Sequence, residues 1–209
     1  MKRPWRLALA VMAWLVPLVS AGAQGGTVTG TVTVPNASVT DVVVYLVPDA
    51  PGGSAAKALT AAMDQRDLRF VPRVIAVTPG STVVFSNNDR VMHNVFHPRQ
   101  ASEGFDLGLW APGQSREFTF AREGAFVMLC QVHPEMVGYV VVVDSPYRAV
   151  TDGQGRFRMD GVAPGKYVLR TWHHRLEAHH VEVTVADGGV VRVELALKFG
   201  KTADPSGKR

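Results

Sequence analysis

The 209-residue chain contains a single cysteine, Cys130, so no disulfide can form within it and no two-cysteine, dinuclear copper centre can be built. An excess of one charge is also missing, because 22 Lys and Arg face 18 Asp and Glu. Three of these cations lie within the first six residues, which leaves 19 against 18 in the remainder. No basic stripe with interleaved aromatic residues is present, so the composition predicts no binding to nucleic acid.

Long apolar runs are absent except at the N-terminus, where three basic residues precede an apolar run over residues 7–19 and small residues follow it. This order is typical of a secretory signal peptide. The run is shorter than the roughly 20 residues that span a bilayer, although a permanent membrane helix is the alternative. We therefore predict a signal peptide over 1–23, cleavage near Gln24, a periplasmic or secreted location and no stable membrane span after cleavage.

Short β-branched stretches with period-two alternation dominate the rest of the chain, and nearly all are bounded by Gly, Pro, Asn or Asp. This pattern predicts an all-β protein of sandwich or barrel type. Strands are predicted over 27–34, 39–47, 71–77, 82–85, 117–120, 126–129, 138–143, 167–172, 181–185 and 190–197. A short helix over 54–63 remains an alternative, because that segment is rich in alanine.

The unpaired cysteine needs an explanation in an exported chain, such as intermolecular pairing, a reactive thiol or a metal. Cys130 ends a strand-like run, His133 and Met136 follow in the next turn, and His93 follows an earlier strand, from which a loop can bring it to the same point. Two histidines, a cysteine and a weakly bound methionine form the ligand set of a mononuclear blue-copper site. Zinc is the alternative metal, but structural zinc favours more cysteines. The simpler interpretation is that Cys130 and Met136 only fill the core.

Three segments carry a resemblance to the cupredoxin family, in particular to plastocyanin-like and amicyanin-like proteins. They are FSNND over 85–89, His93-Asn94-Val95 and Cys130-x-x-His133-x-x-Met136. The short gap between His133 and Met136 is similar to that of amicyanin. The resemblance covers residues 63–144 and implies a Greek-key sandwich that holds one type 1 copper at one end.

Residue roles follow from this resemblance. His93 and His133 would be equatorial nitrogen ligands, Cys130 the equatorial thiolate and Met136 the axial ligand. Asn94 would tie the two ligand loops together through hydrogen bonds. One histidine edge would lie near the surface, within an apolar patch through which electrons are exchanged.

A second resemblance lies outside the copper segment. The patterns TD-x-x-G-x-F over 151–157 and P-G-x-Y over 164–167 are similar to the carboxypeptidase regulatory-like β-sandwich, whose opening strands match 30–32 and 43–46. We therefore predict a second small sandwich, formed by residues 25–60 and 145–198, into which the cupredoxin domain of 63–144 is inserted. Residues 199–209 would be a flexible tail. Tandem domains are the alternative, and the resemblance implies no catalytic residue.

Five further histidines have no place in the predicted site. His97 is expected to be exposed in a loop; the alternatives are a further ligand and a proton-sensitive neighbour of the site. His173-His174 and His179-His180 are expected at surface or hairpin positions, because adjacent residues of a strand point to opposite faces. The chain lacks His-x-His pairs that would resemble the ligands of multicopper oxidases or copper nitrite reductases, which argues against a trinuclear or second catalytic centre. Trp110 is expected to serve in packing.

These patterns together predict an exported, monomeric copper protein that carries single electrons between protein redox partners and is not an enzyme. The alternative is a copper-binding accessory or cell-surface interaction protein without a carrier role.

Overall fold

The computed structural model describes residues 24–49, 56–98 and 104–200. The predicted signal peptide and most of the predicted tail lie outside these residues. Within these ranges the chain forms sixteen β-strands and no helix, which confirms the predicted all-β class. Accordingly, no apolar helix of membrane-spanning length occurs in the part of the chain that the structure describes.

The strands follow one another at short intervals along the chain. They are β1 (Gly26–Thr33), β2 (Val43–Pro48), β3 (Thr60–Arg66), β4 (Arg69–Val71), β5 (Val74–Val77), β6 (Ser81–Asn87), β7 (His93–His97), β8 (Phe105–Trp110), β9 (Ser115–Phe120), β10 (Gly124–Leu129), β11 (Val137–Val142), β12 (Arg148–Val150), β13 (Arg156–Val162), β14 (Gly165–Trp172), β15 (His180–Val185) and β16 (Val190–Ala196).

Four sheets stack as successive layers. The first has the strand order β13-β1-β16, the second β12-β2-β14-β15, the third β5-β11-β10-β7-β8 and the fourth β4-β3-β6-β9. One apolar cluster lies between the first and second sheets, and another lies between the third and fourth. A third, smaller cluster joins the second sheet to the third, so the two sandwiches share an interface.

Strands β2 and β11 are buried on both faces, which explains their uninterrupted apolar sequences. In β2, Val44 belongs to the cluster of the first sandwich, whereas Val43 faces the shared interface. In β11, Val140 belongs to the cluster of the second sandwich and Val141 faces the interface. Both strands therefore lie at the centre of the stack.

The strands that come before β3 in the chain pair with strands that come after β11. β2 is antiparallel to both β12 and β14, with Ala149 and Thr171 on either side of Val44. β1 likewise lies between β13 and β16. Strands β3 to β11 form the third and fourth sheets by themselves.

Two sequence predictions about local structure are wrong. The alternative helix over 54–63 does not form over its final residues, because Thr60–Arg66 is a strand parallel to β6 with Met63 in the core. His93 and His97 lie in β7 rather than in a loop, and Phe105–Trp110 forms β8 beside it. These strands are short and are stabilised by cross-strand pairing, which local sequence patterns do not reveal.

Candidate metal centre

The third sheet brings the candidate ligands to one end of the sandwich that the third and fourth sheets form, the copper-binding half of the protein. His93 is the first residue of β7, and Cys130 directly follows β10, which is antiparallel to β7. His133 and Met136 lie in the turn from β10 to β11, where the Met136 amide donates to the His133 carbonyl at 3.0 Å. Because β10 and β11 are also paired, this turn lies beside the start of β7, where His93 stands.

Three donor atoms form a compact triangle. Cys130 Sγ lies 3.8 Å from His93 Nδ1 and 3.9 Å from His133 Nδ1, and the two Nδ1 atoms are 3.0 Å apart. A point equidistant from all three atoms lies about 2.1 Å from each, which is close to the 2.0–2.3 Å of metal–nitrogen and metal–sulfur bonds. One metal ion therefore fits the triangle with only small adjustments.

Burial separates the two histidines. His93 is 0% exposed and Cys130 is 3% exposed, whereas His133 is half-buried. Met136 is 1% exposed and belongs to the same apolar cluster as Cys130. The thiol and one imidazole are therefore shielded from water, and only the His133 side of the triangle reaches the surface.

Asn94 connects the two segments that carry the candidate ligands. Its Oδ1 accepts a hydrogen bond from the Gln131 amide at 2.7 Å, directly after Cys130. Its Nδ2 donates to Asp106 Oδ1 at 3.3 Å, and the Gln131 side chain donates to Asp106 Oδ2 at 3.0 Å. Asn94 itself is buried, and its hydrogen bond joins β7 to the residue that follows Cys130.

We expect Asn94→Ala to lower the free energy of unfolding of the metal-free protein by about 1–3 kcal/mol, because the Gln131 amide loses its acceptor. Copper should also dissociate faster, since the Cys130 turn is no longer tied to β7. Chemical denaturation and copper transfer to a chelator measure the two effects. Asn88→Ala is the matched control, because Asn88 makes an exposed hydrogen bond to Asp64. Equal results for both variants would contradict the assigned role.

Asp89 was not identified from the sequence as a partner of the candidate ligands. Its Oδ2 lies 3.0 Å from His93 Nε2, the ring nitrogen that faces away from the triangle. The hydrogen bond from the Leu68 amide lowers the pKa of Asp89 to about 2 against the opposing effect of desolvation, with smaller contributions from Arg90 and His93. The sequence places this acidic residue four positions before His93. That spacing brings two side chains together in a helix. No helix is predicted over this segment, so the spacing did not indicate a contact.

His97 is buried, whereas the sequence predicted that it would be exposed. Its Nδ1–H donates to the Val127 carbonyl at 3.0 Å, and its ring packs edge-on against Phe126. It therefore joins β7 to β10. His97 does not belong to the cluster of metal-binding donors, which among the described residues consists of His93, Cys130 and His133.

The remaining histidines divide between interior and surface. His173 lies in the β14–β15 hairpin but is buried rather than on the surface, and its ring contacts that of His174, which in turn stacks on Tyr139 of β11. Desolvation lowers the pKa of His173 to about 4, with a smaller effect from His174. His179 and His180 are exposed, as predicted. Trp110 is buried in the core of the copper-binding half, in keeping with a packing role.

Comparison with known proteins identifies two segments. Residues 57–143 match the family described as copper binding proteins, plastocyanin/azurin family, and residues 135–198 match the carboxypeptidase regulatory-like domain. Both resemblances seen in the sequence are confirmed.

Two plastocyanins agree with the first match. Plastocyanin of Mercurialis perennis is 32% identical over an alignment of 91 residues, and the match covers 38% of this chain and 92% of that protein. Chloroplastic plastocyanin of Fritillaria agrestis is 37% identical over 76 residues, 32% of this chain, and the chain spans only 46% of that relative's length. Among solved structures, amicyanin from Paracoccus versutus has 22% identity and a TM-score of 0.37, covering 50% of this chain and 99% of that one.

The identity to a plastocyanin over nearly its whole length agrees with the donor set and with the family match. The chain therefore belongs to the plastocyanin/azurin family of copper-binding proteins, with copper as its cofactor.

Proposed function

We propose that this protein is a type 1 copper protein that carries single electrons between larger redox proteins. The observation that carries this proposal is the triangle of Cys130 Sγ, His93 Nδ1 and His133 Nδ1, with its separations of 3.0–3.9 Å. Two imidazoles and one thiolate in a trigonal arrangement are the equatorial set of a blue-copper site. When bound, copper supplies the Cu(II)/Cu(I) couple.

We assign His93, Cys130 and His133 as equatorial ligands and Met136 as the weak axial ligand. β7 and β10 hold His93 and Cys130 at fixed positions, and the Asn94 hydrogen bond holds the turn that carries His133. A rigid donor set suits electron transfer, because the ligands then move little when the metal changes charge.

The path for electrons is proposed to run through the partly exposed edge of His133. Exposed apolar side chains adjoin the ligands along the chain, with Val132 next to His133 and Met92 next to His93. Leu109, opposite Asn94 across the β7–β8 pair, is also exposed. Exposed apolar side chains next to the ligands suit brief contact with a partner protein.

We also propose that the copper-binding domain, residues 63–144, is inserted in a discontinuous sandwich formed by 25–60 and 145–198. The pairing of β2 with β12 and β14, and of β1 with β13 and β16, supports this arrangement over tandem domains. Residues 201–209 and the proposed signal peptide lie outside the described residues. The N-terminal pattern supports a periplasmic or secreted location, and we propose a monomer without catalytic activity.

The second candidate function is that of a copper-binding accessory protein, which the match to a carboxypeptidase regulatory-like domain favours as a module for interaction. Copper loading followed by reduction with a Cu(I) chelator present separates the two functions. A carrier is expected to keep its copper through repeated cycles of reduction and oxidation. Quantitative transfer of copper to the chelator on the first reduction would contradict the carrier proposal.

Met136→Leu is expected to raise the reduction potential by tens of millivolts while the blue colour remains. The axial thioether contributes little to bonding but stabilises Cu(II), and a tenfold change in the ratio of Cu(II) to Cu(I) affinity corresponds to about 59 mV. Voltammetry measures the shift. Met128→Leu is the matched control, since Met128 is buried in the same cluster but is not a candidate ligand. Loss of copper from the Met136 variant alone would show that the order of ligand strengths is wrong.

A further inference from the structure

We propose that Asp89 is the residue that positions the buried ligand His93 and biases the site toward Cu(II). The inference rests on the proposed ligand role of His93. It starts from the 3.0 Å contact between Asp89 Oδ2 and His93 Nε2. An ionised carboxylate only accepts hydrogen bonds, so the imidazole must donate through Nε2–H.

This hydrogen bond determines the tautomer of His93. With the proton on Nε2, the neutral ring carries its lone pair on Nδ1. Nδ1 is the atom that lies 3.8 Å from Cys130 Sγ and 3.0 Å from His133 Nδ1. The ring is therefore prepared for metal binding, with the correct nitrogen already directed into the triangle.

The carboxylate is itself held in place. Oδ2 also accepts from the Leu68 amide at 2.8 Å, and Oδ1 accepts from the Arg90 amide at 2.7 Å. The Asp89 amide donates to Oδ1 of the buried Asn87, whose Nδ2 donates to the Val91 carbonyl at 2.9 Å. The loop between β6 and β7 is thus built around a carboxylate with only 10% of its side chain exposed.

The negative charge has a second consequence. A carboxylate that accepts a hydrogen bond from a ligating imidazole increases the basicity of its other nitrogen. The more basic nitrogen favours the ion of higher charge, so the affinity for Cu(II) depends on Asp89 more strongly than the affinity for Cu(I). The protein therefore stabilises the oxidised state of the site from a position behind His93.

Asp89→Asn tests this bias, because it keeps the size of the side chain and an amide oxygen that accepts hydrogen bonds but removes the charge. We expect Cu(II) affinity to fall 10–100-fold, the cost typical of losing such an outer partner. Cu(I) affinity should fall less, so the reduction potential should rise by about 59 mV for each tenfold change in the affinity ratio. The blue absorption should remain.

The matched control is Asp64→Asn. Asp64 lies in the adjoining β3 strand and accepts from Asn88, but it has no described contact with His93. Asp64→Asn removes one negative charge, as Asp89→Asn does, and should leave the ratio of Cu(II) to Cu(I) affinity unchanged. A general loss of folding lowers both copper affinities together and cancels in that ratio. An Asp89→Asn ratio equal to that of Asp64→Asn would overturn the proposed bias.

Nitrogen-15 NMR of the wild-type, metal-free protein tests the positioning role without any variant. The shifts of the His93 ring at neutral or slightly alkaline pH should report a proton on Nε2 and a bare Nδ1. The opposite tautomer would overturn the inference. Failure of the proposed function would look different, since wild-type protein loaded with Cu(II) would then lack the blue absorption whatever the tautomer of His93.

Discussion

Cys130→Ser should abolish the intense blue absorption of the copper-loaded protein. That absorption arises from charge transfer between the thiolate and Cu(II), and a serine hydroxyl is neither anionic at neutral pH nor a soft ligand. Cu(II) affinity should fall by more than the 10–100-fold expected for loss of an outer partner, because one of the main bonds is removed. Visible spectra and competition with a chelator measure both effects.

The matched control is Val132→Ser, which places the same hydroxyl two positions further along the same turn. Val132 is exposed and is not a candidate ligand, so this variant should keep its colour and its affinity. Apo Cys130→Ser should lose about 1–3 kcal/mol in the free energy of unfolding relative to the apo wild type, because the serine hydroxyl replaces a buried thiol of similar size in an apolar cluster. A Cys130→Ser protein that binds copper as tightly as the wild type would contradict the proposed thiolate bond.

Trp172→Ala should lower the free energy of unfolding by about 3–5 kcal/mol, more than any other substitution proposed for this protein. Trp172 is 3% exposed and belongs to the cluster that joins the second sheet to the third. Its ring lies 5.4 Å from that of Tyr139 in β11, with 60° between the planes. Removal leaves a cavity between the two sandwiches, which lose much of their shared apolar contact.

Denaturation followed by far-ultraviolet circular dichroism, which reports both sandwiches, and by copper absorption, which reports the sandwich that carries the ligands, measures this loss in the variant that lacks Trp172. In wild-type protein the two signals should change together, because Val43 and Val141 also pack in the shared cluster. Phe199→Ala is the control: Phe199 is half exposed and lies 5.3 Å from the Arg175 guanidinium, so its loss should cost about 1 kcal/mol or less. A small effect of Trp172→Ala would show that the sandwiches are independent.

The candidate ligands were accessible to sequence analysis because three of them lie within seven residues of one another. Cys130, His133 and Met136 share one turn, and the residue types alone restrict the choice of metal. Their spacing therefore carried chemical information before any fold was known. The same holds for the two turn patterns of the second sandwich, where glycine and proline mark strand boundaries.

Asp89 could not be found in that way. The contact with His93 depends on the path of the loop after β6 and on the Leu68 amide, which approaches from the β3–β4 turn. His97 and His173 were misjudged for a related reason. Each lies in a short, polar stretch that looks exposed. The Val127 carbonyl of β10 accepts the hydrogen bond of His97, whereas His173 is buried within its hairpin and accepts from the Arg175 amide. Burial of polar residues by distant strands leaves no local pattern.

The shared interface was equally hidden. The apolar runs of β2 and β11 indicated burial. A strand that is buried on both faces has an uninterrupted apolar sequence, however, whether it lies within one domain or between two. Only the register places Val43 and Val44 on opposite faces of β2, toward different clusters.

Spectroelectrochemical titration of the copper-loaded wild-type protein tests the central claim most directly. The account predicts one copper per chain and a blue band that disappears and returns completely along a one-electron Nernst curve. Bound copper whose spectrum shows no thiolate band, or whose band does not follow the applied potential reversibly, would contradict the assignment of this protein as a single-electron carrier.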